Sequence, residues 1–300
     1  MEHPLLSPQN DFVFQYLFGN EANKDILISL LSAILQIQIK SLKLLQREIP
    51  RSAPDLKTAI LDITAELHDG TRVDIEMQIG FRPEYIDRVL YYWADFFTIQ
   101  LKKSDKHHKL NKTISVSIVD DCKNFFPHAH STYVLAEKQG NPHHVLTDKI
   151  EFHFIDLNRI DEITKNEDNK MFVLWMKFFT CKTRQEMEAI AKENKCIEEA
   201  YKRLDFMSQD PEVRAAAVAR DKFLWDLEVA KQARYEEGRE EGREEGREEG
   251  REEGREEGIE IGEKKGREEG KIETAKAMIE AGFDIEAVCK ATGLSPEDIT

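Results

Sequence analysis

The stretch from Ala59 to Gln78, AILDITAELHDGTRVDIEMQ, constrains this chain most, because two runs of apolar/polar alternation flank one glycine-containing break. Leu61, Ile63, Ala65 and Leu67 alternate with Asp62, Thr64 and Glu66; beyond the break, Val73, Ile75, Met77 and Ile79 alternate with Arg72, Asp74, Glu76 and Gln78. A period of two marks a strand with one apolar and one polar face, so the stretch predicts a β-hairpin. Loop length then decides the register. A two-residue Asp69-Gly70 turn pairs residues whose numbers sum to 139, setting Asp62 against Met77 and mixing the faces, which a sheet with one buried side resists. A three-residue loop, His68-Asp69-Gly70 with Gly70 left-handed, gives pairs summing to 138 and sets Asp62 opposite Glu76.

Two carboxylates facing each other with Cβ atoms about 5 Å apart destabilise a sheet. A divalent cation resolves the repulsion, and hard oxygen ligands at this spacing suit Mg²⁺ or Mn²⁺, which keep several waters while holding a phosphate. Taken alone, the same alternation also suits a solvated strand face carrying acids.

An Asp on one strand followed by Glu-x-Gln on the next resembles the PD-(D/E)XK nuclease core, and more closely the Rpn family of recombination-promoting nucleases and transposases, which writes Gln at the last motif position. The resemblance implies Asp62 and Glu76 as metal ligands, the Met77 carbonyl as a third ligand, and Gln78 as the group orienting water or phosphate. Gln78 donates hydrogen bonds but carries no charge. The segment DFVFQYLFG, residues 11–19, resembles the family's opening, with Gln15 where relatives place Lys. The segment PEYIDRVLYYWADFFTIQLKK, residues 83–103, resembles the family's helix with Arg, Tyr and Gln-Leu, matched by Arg88, Tyr91 or Tyr92, and Gln100-Leu101. Arg88 then reaches a scissile phosphate; the alternative is a surface arginine paired with a nearby Asp of its own helix, Asp87 or the neighbourhood of Asp95.

Around the hairpin, Asn10 or Asp11 caps a short helix closed by Gly19, and Ile26, Leu27, Leu30, Leu31, Ile34 and Leu35 mark an amphipathic helix. Ser41 to Ile49 reads as a first strand ending before Pro50 and Pro54. Thr113 to Val119 reads as a buried central strand parallel to a neighbour, with further strands over Thr132 to Ala136 and Lys149 to Asp156. Lys102, Lys103, Lys106, Lys109 and Lys112 form the densest basic stretch of this region and predict contacts to a nucleic-acid backbone. His128, His130, His143 and His144 read as loop residues without metal-ligand spacing. From Glu167 to about Ala233, apolar residues recur at three and four, ending with Val218, Phe223 and Leu227, and predict packed helices.

Charge is unevenly placed. Glu236 to Gly270 holds 16 Glu against 6 Arg and 2 Lys, a net of −8, leaving −7 of the total −15 elsewhere. The acidity therefore belongs mainly to an REEG repeat with glycine at every fourth position, and it does not exclude nucleic acid as partner of the rest. Glycine costs a helix about 1 kcal/mol per site, so a low-complexity spacer is the first reading of the repeat and a long solvated helix the second. After it, Gly282, Asp284, Gly293 and Ser295-Pro296 punctuate short helices: a DNA-reading motif or, preferred, a cap or oligomerisation knob exposing Met278, Ile279, Ile285 and Val288. Cys122, Cys181, Cys196 and Cys289 lack CxxC spacing, and the chain shows neither a leader pattern nor an apolar run long enough to span a bilayer, so a cytoplasmic location without membrane attachment is expected.

The expected fold class is α+β, an α/β nuclease core with a central mixed sheet flanked by helices, followed by a helical subdomain and a long charged helical or low-complexity tail. The expected boundaries are 1–158 for the core, 159–235 for the helical subdomain, 236–270 for the repeat and 271–300 for the terminal helices. The resemblance implies a metal-dependent endonuclease acting on DNA in recombination or transposon-like mobility, and the apolar residues of the terminal helices predict self-association through them. The alternative is a weak or inactive DNA-binding protein with a decayed core, motivated by Gln15 and Gln78; RNA as substrate is a third reading.

Overall fold

The computed structural model describes residues 3–46, 61–120, 122, 125–140, 142–166 and 169–299. The end of the expected first strand and the start of the expected hairpin, residues 47–60 with Pro50 and Pro54, lie outside these residues. The described residues form two units, Met1–Leu224 and Trp225–Thr300.

The first unit is built on a mixed sheet of order β1-β2-β3-β4-β6-β5, with β1 Leu42–Leu44, β2 Ile63–Leu67, β3 Arg72–Gln78, β4 Thr113–Val119, β5 His130–Val134 and β6 Ile150–Asp156. The hairpin β2-β3 pairs Ile63 with Ile75, Thr64 with Asp74 and Ala65 with Val73, the register set by a three-residue loop. Gly70 sits at φ 85° and its amide donates to the Leu67 carbonyl, while the Leu67 amide donates to the Thr71 carbonyl. Strands β3, β4 and β6 run parallel, and every residue of the β-branched TISVSIV run is buried at the centre.

Helices cover both faces. On one side, α1 (Asp11–Phe18), α2 (Lys24–Leu35), α5 (Lys170–Thr180) and α7 (Lys195–Gln209) bury their apolar stripes against Ile63, Val73, Ile75, Val116 and Ile155 in one core. Trp175 lies at its centre against Phe18, Phe178 and Phe179. The short helices α4 (Ile160–Asn166) and α6 (Arg184–Ala191) complete this layer; α6 carries a Thr183/Glu186 capping box. On the other side lies α3 (Glu84–Thr98), which ends five residues before the expected Lys103. Its Tyr85 and Val89 pack with Val119, Cys122, Phe126 and Phe154, and its Phe96 with Leu61. Because α3 lies there, the polar face of the hairpin is not solvated: Asp74 is 2% and Glu76 7% exposed.

Helix α8 (Pro211–Glu280) begins in the first unit, where Val213 and Ala217 are buried. Val218, Phe223 and Leu227, expected to pack, are exposed, since the buried stripe of these turns falls on Val213 and Ala217 instead. The helix continues unbroken through the REEG repeat, so the spacer reading gives way to the helical one. Packing of the first turns supplies the costly nucleation step, and pairs such as Glu240 with Arg243, 2.7 Å apart, support propagation.

In the second unit, the end of α8 is followed by α9 (Ile285–Thr292), capped by Asp284, and α10 (Pro296–Ile299), with Gly282 and Gly293 left-handed between them. Ala275, Val288 and Ile299 form a small core with Met278, Ile279, Cys289 and Leu294. Three of the four residues expected to be exposed are therefore satisfied within the unit, and only Ile285 is exposed.

His130, expected in a loop, lies in β5. Its Nε2 is 2.9 Å from His153 Nδ1, and Thr132 Oγ1 is 3.3 Å from the same atom. His153 Nε2 is 2.7 Å from Glu151, which also pairs with Lys112, and Phe172 of α5 stacks on the His130 ring. Burial, then the neighbouring His153, pushes the His130 pKa down to about 4 from 6.5. The unfolded chain binds this proton first, so the neutral imidazole's contribution is complete above pH 6.5 and is lost as pH falls through 4, up to about 3 kcal/mol. Glu151, held near 2 by His153 and Lys112, loses its contribution only below 4.5. His130→Asn is expected to flatten the loss of stability between pH 6.5 and 4, followed by urea unfolding monitored through tryptophan fluorescence. Parallel profiles for variant and wild type would place the acid sensitivity elsewhere.

Candidate active site

The carboxylates of the hairpin meet at the C-terminal end of β3. β2 begins at Ile63, and the bend at Asp62 lets its side chain fold over the neighbouring strand, where Oδ2 accepts from the Met77 amide at 3.2 Å. Hydrogen-bonded pairs alternate along an antiparallel ladder, and the Leu67–Thr71 pair fixes the phase, so the main chain of Met77 faces the Asp62 end. Gln15 of α1 donates to the Asp62 carbonyl at 3.1 Å, so the residue standing where relatives place Lys holds the backbone of the acidic residue.

Glu76 is held by groups from β4 and α3. The Tyr85 hydroxyl is 3.1 Å from Glu76 Oε2 and 2.9 Å from Ser117 Oγ; with a single hydrogen it donates to the carboxylate and accepts from the serine. Arg88 Nη2 lies 2.5 Å from Gln78 Oε1 and 3.9 Å from Glu76 Oε2, and its guanidinium stacks over the Tyr85 ring at 4.8 Å. The alternative of an arginine paired within its own helix is thereby replaced. Gln78 Oε1 is committed to Arg88 and Nε2 donates to the Ile79 carbonyl, and the second Nε2 hydrogen has no partner among the described residues.

Burial and mutual repulsion dominate the electrostatics of Glu76 and Asp74. Burial, followed by the charge of Asp62, raises the Glu76 pKa to about 7 against the pull of Arg88 and Tyr85. Burial and then Glu76 push Asp74 well above the ordinary carboxylate range. Asp74 Oδ2 accepts from Ser115 at 2.8 Å, while its buried Oδ1 has no hydrogen-bond partner among the described residues. Clustered acids of this kind are what a cation relieves. No ready-made trio of His, Cys, Asp or Glu ligands stands among the described residues. Two carboxylates and a main-chain oxygen nevertheless suit an ion such as Mg²⁺, which binds through one or two carboxylates and otherwise keeps its waters. The donor set fits.

The basic stretch is placed elsewhere. Arg72 of β3 registers with Thr113 of β4, and Gln78 with Val119, so the loop leading into Thr113 lies at the opposite end of the sheet from Glu76, about 13 Å away along the strand. Gln100 clamps that loop through Asn111 and Thr113. Lys109 and Lys112 are paired with Asp105 and Glu151, each at 2.7 Å, whereas Lys102, Lys103 and Lys106 are exposed.

Tyr85, Ser117 and Asp74 were not singled out by the sequence, which pointed to Tyr91 or Tyr92. The signal that would have found Tyr85 is its three-residue spacing from Arg88, which places both on one helix face. A further pairing is invisible locally: Arg220 of α8 grips Asp11 of α1 through Nε at 2.9 and 2.8 Å and Nη2 at 2.5 Å.

No helix among the described residues is long and apolar enough to cross a membrane. Comparison with curated proteins and with solved structures returned no match. Residues 268–300 match the C-terminal HTH domain of the Rpn/YhgA-like nuclease family, which corrects the preference for a cap or oligomerisation knob, in keeping with terminal helices that bury their apolar residues in one another. Residues 8–234 match the PD-(D/E)XK nuclease family transposase, three quarters of the chain that include the hairpin, α3 and Arg220, and the protein therefore belongs to that family.

Proposed function

We propose that the chain is a divalent-cation-dependent endodeoxyribonuclease serving DNA recombination or transposon-like mobility. The observation that carries this reading is the pair Asp62 and Glu76, drawn together at a strand end and ringed by Tyr85, Arg88 and Gln78. Asp62 and Glu76, with the Met77 carbonyl, would hold Mg²⁺ or Mn²⁺. When bound, such an ion polarises a phosphoryl oxygen and lowers the pKa of water. Tyr85 fixes the Glu76 carboxylate, Gln15 fixes the Asp62 main chain, and Arg88 supplies positive charge to a phosphate while holding the Gln78 amide through its oxygen. The nuclease core and the HTH module both point to DNA as partner.

The deciding experiment is nicking of supercoiled plasmid by the full-length protein in Mg²⁺ or Mn²⁺, with and without chelator, and with Asp62→Asn. Cleavage is expected only with metal and only in the wild type; activity that survives chelator or the substitution would overturn the reading. A catalytically weak core is the second reading, favoured by Gln15 and Gln78 at positions where a cation would otherwise stand, and a wild type that binds DNA without nicking it would select it.

The basic loop carries a separate expectation. Converting Lys102, Lys103 and Lys106 to Gln should lower the slope of log affinity against log salt by about 0.9 for each phosphate no longer neutralised, on unrelated DNA sequences alike. Converting Lys109 and Lys112, already paired with acids, should change it less. Equal slopes for the triple variant and the wild type would put the DNA path on another face.

A further inference from the structure

Phosphate approaching Asp62 and Glu76 meets carboxylates in a chain of net charge −15, so local cations must carry the attraction. Arg88 stands on the Glu76 side of the site, already bonded to Gln78. On the Asp62 side, α8 contributes a basic group among the described residues. Asp11 and Gln15 are four residues apart on α1 and so share a face; Gln15 touches the Asp62 carbonyl, and Asp11 holds Arg220. The residue that holds Arg220 is thus one helical turn, a rise of ~6 Å along α1, from the residue that contacts Asp62. The field of Asp62 acts on it after that of Asp11.

The placement is rigid. Asn10, 2% exposed, caps α1 through the Val13 amide and donates to the Ala217 carbonyl at 3.2 Å and to Asp221 Oδ1 at 2.6 Å, locking the first turns of α8 onto α1. The Phe223 ring backs the Arg220 guanidinium at 5.5 Å. Asp11 occupies the Nε and Nη2 edge, while Nη1 has no partner among the described residues and the side chain is 40% exposed. A guanidinium has five donors in a planar fork, so one edge can be anchored by a carboxylate while the other receives a phosphate.

We propose that Arg220 forms a phosphate subsite on the Asp62 side of the centre, its free Nη1 edge taking a backbone phosphate of the nucleic acid while Asp11 and Phe223 hold the guanidinium in place. The subsite rests on the nuclease reading for its role in cleavage, though its phosphate binding can be measured without metal.

The test uses full-length protein and a DNA oligonucleotide. In metal-free buffer, Arg220→Gln, which keeps a donor for Asp11 but removes the charge, should lower the salt slope of binding by about 0.9, and Arg220→Lys should restore it. Asp11→Asn, which leaves the cation in place, should retain the slope. With Mn²⁺, Arg220→Gln should lose about ten- to a hundredfold in kcat/KM. In the wild type, DNA should protect Arg220 from modification by phenylglyoxal, a measurement that needs no variant to fold. Equal modification with and without DNA, or Arg220→Gln matching the wild type in slope, would overturn the subsite. Asp11→Asn and Arg220→Gln losing activity alike with no change in slope would reduce Arg220 to a structural partner of Asp11. Absence of cleavage by the wild type in either metal would sink the nuclease reading and leave the binding and protection results to judge the subsite.

Discussion

Glu76→Gln is expected to abolish metal-dependent cleavage and, in chelator at pH 8, to raise the melting temperature. Because Glu76 is a proposed ligand of the cation, removing its charge should cost at least about a thousandfold in rate, some 4 kcal/mol of transition-state stabilisation. The gain in stability has a separate origin. Burial raises the Glu76 pKa to about 7 from 4.5, so the fold favours the neutral acid and stability is lost progressively as the pH rises from 4.5 to 7. At about 1.4 kcal/mol per pH unit, the amide should relieve about 3 kcal/mol at pH 8, and the difference should vanish below pH 4.5, where the acid is protonated in both states. Lower activity with higher stability is the mark of a residue retained for chemistry. A melting temperature at pH 8 that falls in the variant would mean that Glu76 holds the fold together instead.

Trp175→Ala is expected to cost about 3–5 kcal/mol, a large part of the 5–15 kcal/mol of an ordinary domain. Trp175 is fully buried among Phe18, Phe178 and Phe179, and its Nε1 donates to Ser29 Oγ at 3.2 Å. It therefore ties α1, α2 and α5 together, and α1 carries both Asp11 and Gln15. Truncation should loosen the Gln15 contact to Asp62 before the sheet unfolds, so activity should fall at temperatures where circular dichroism is unchanged. Urea denaturation and a cleavage assay across temperature measure the two effects; a destabilisation under about 1 kcal/mol would mean that the helices are held to the sheet by other contacts.

What the sequence made legible was whatever depends on neighbours along the chain. Alternation and the His68-Asp69-Gly70 loop were enough to bring Asp62 and Glu76 together, since pairing with a period of two leaves two choices and only one keeps the faces apart. The Asn10 cap, the α2 stripe and the β4 strand were local in the same way. Burial of the polar face was not legible, because it depends on where α3 lands, and that depends on aromatic packing between Tyr85, Val119 and Phe154 far apart in sequence. The His130–His153 contact joins strands through hydrogen bonds with no sequence period, and the Asp11–Arg220 pair spans 209 positions. In the REEG repeat, intrinsic propensity argued against a helix that continues from turns already fixed by Val213 and Ala217.

The three-residue loop between β2 and β3 has an evolutionary consequence. Surface loops ordinarily absorb insertions and deletions at little thermodynamic cost. Here a change of one residue would shift the pairing and rotate Glu76 and Gln78 to the apolar side of the sheet, while a side chain at Gly70 would face both a φ of 85° and Asn111 Nδ2 at 3.0 Å from its Cβ. Length variation among descendants of this chain should be purged between Leu67 and Thr71 as strictly as changes to the acids themselves, although the loop lies at the far end of the hairpin from Asp62 and Glu76.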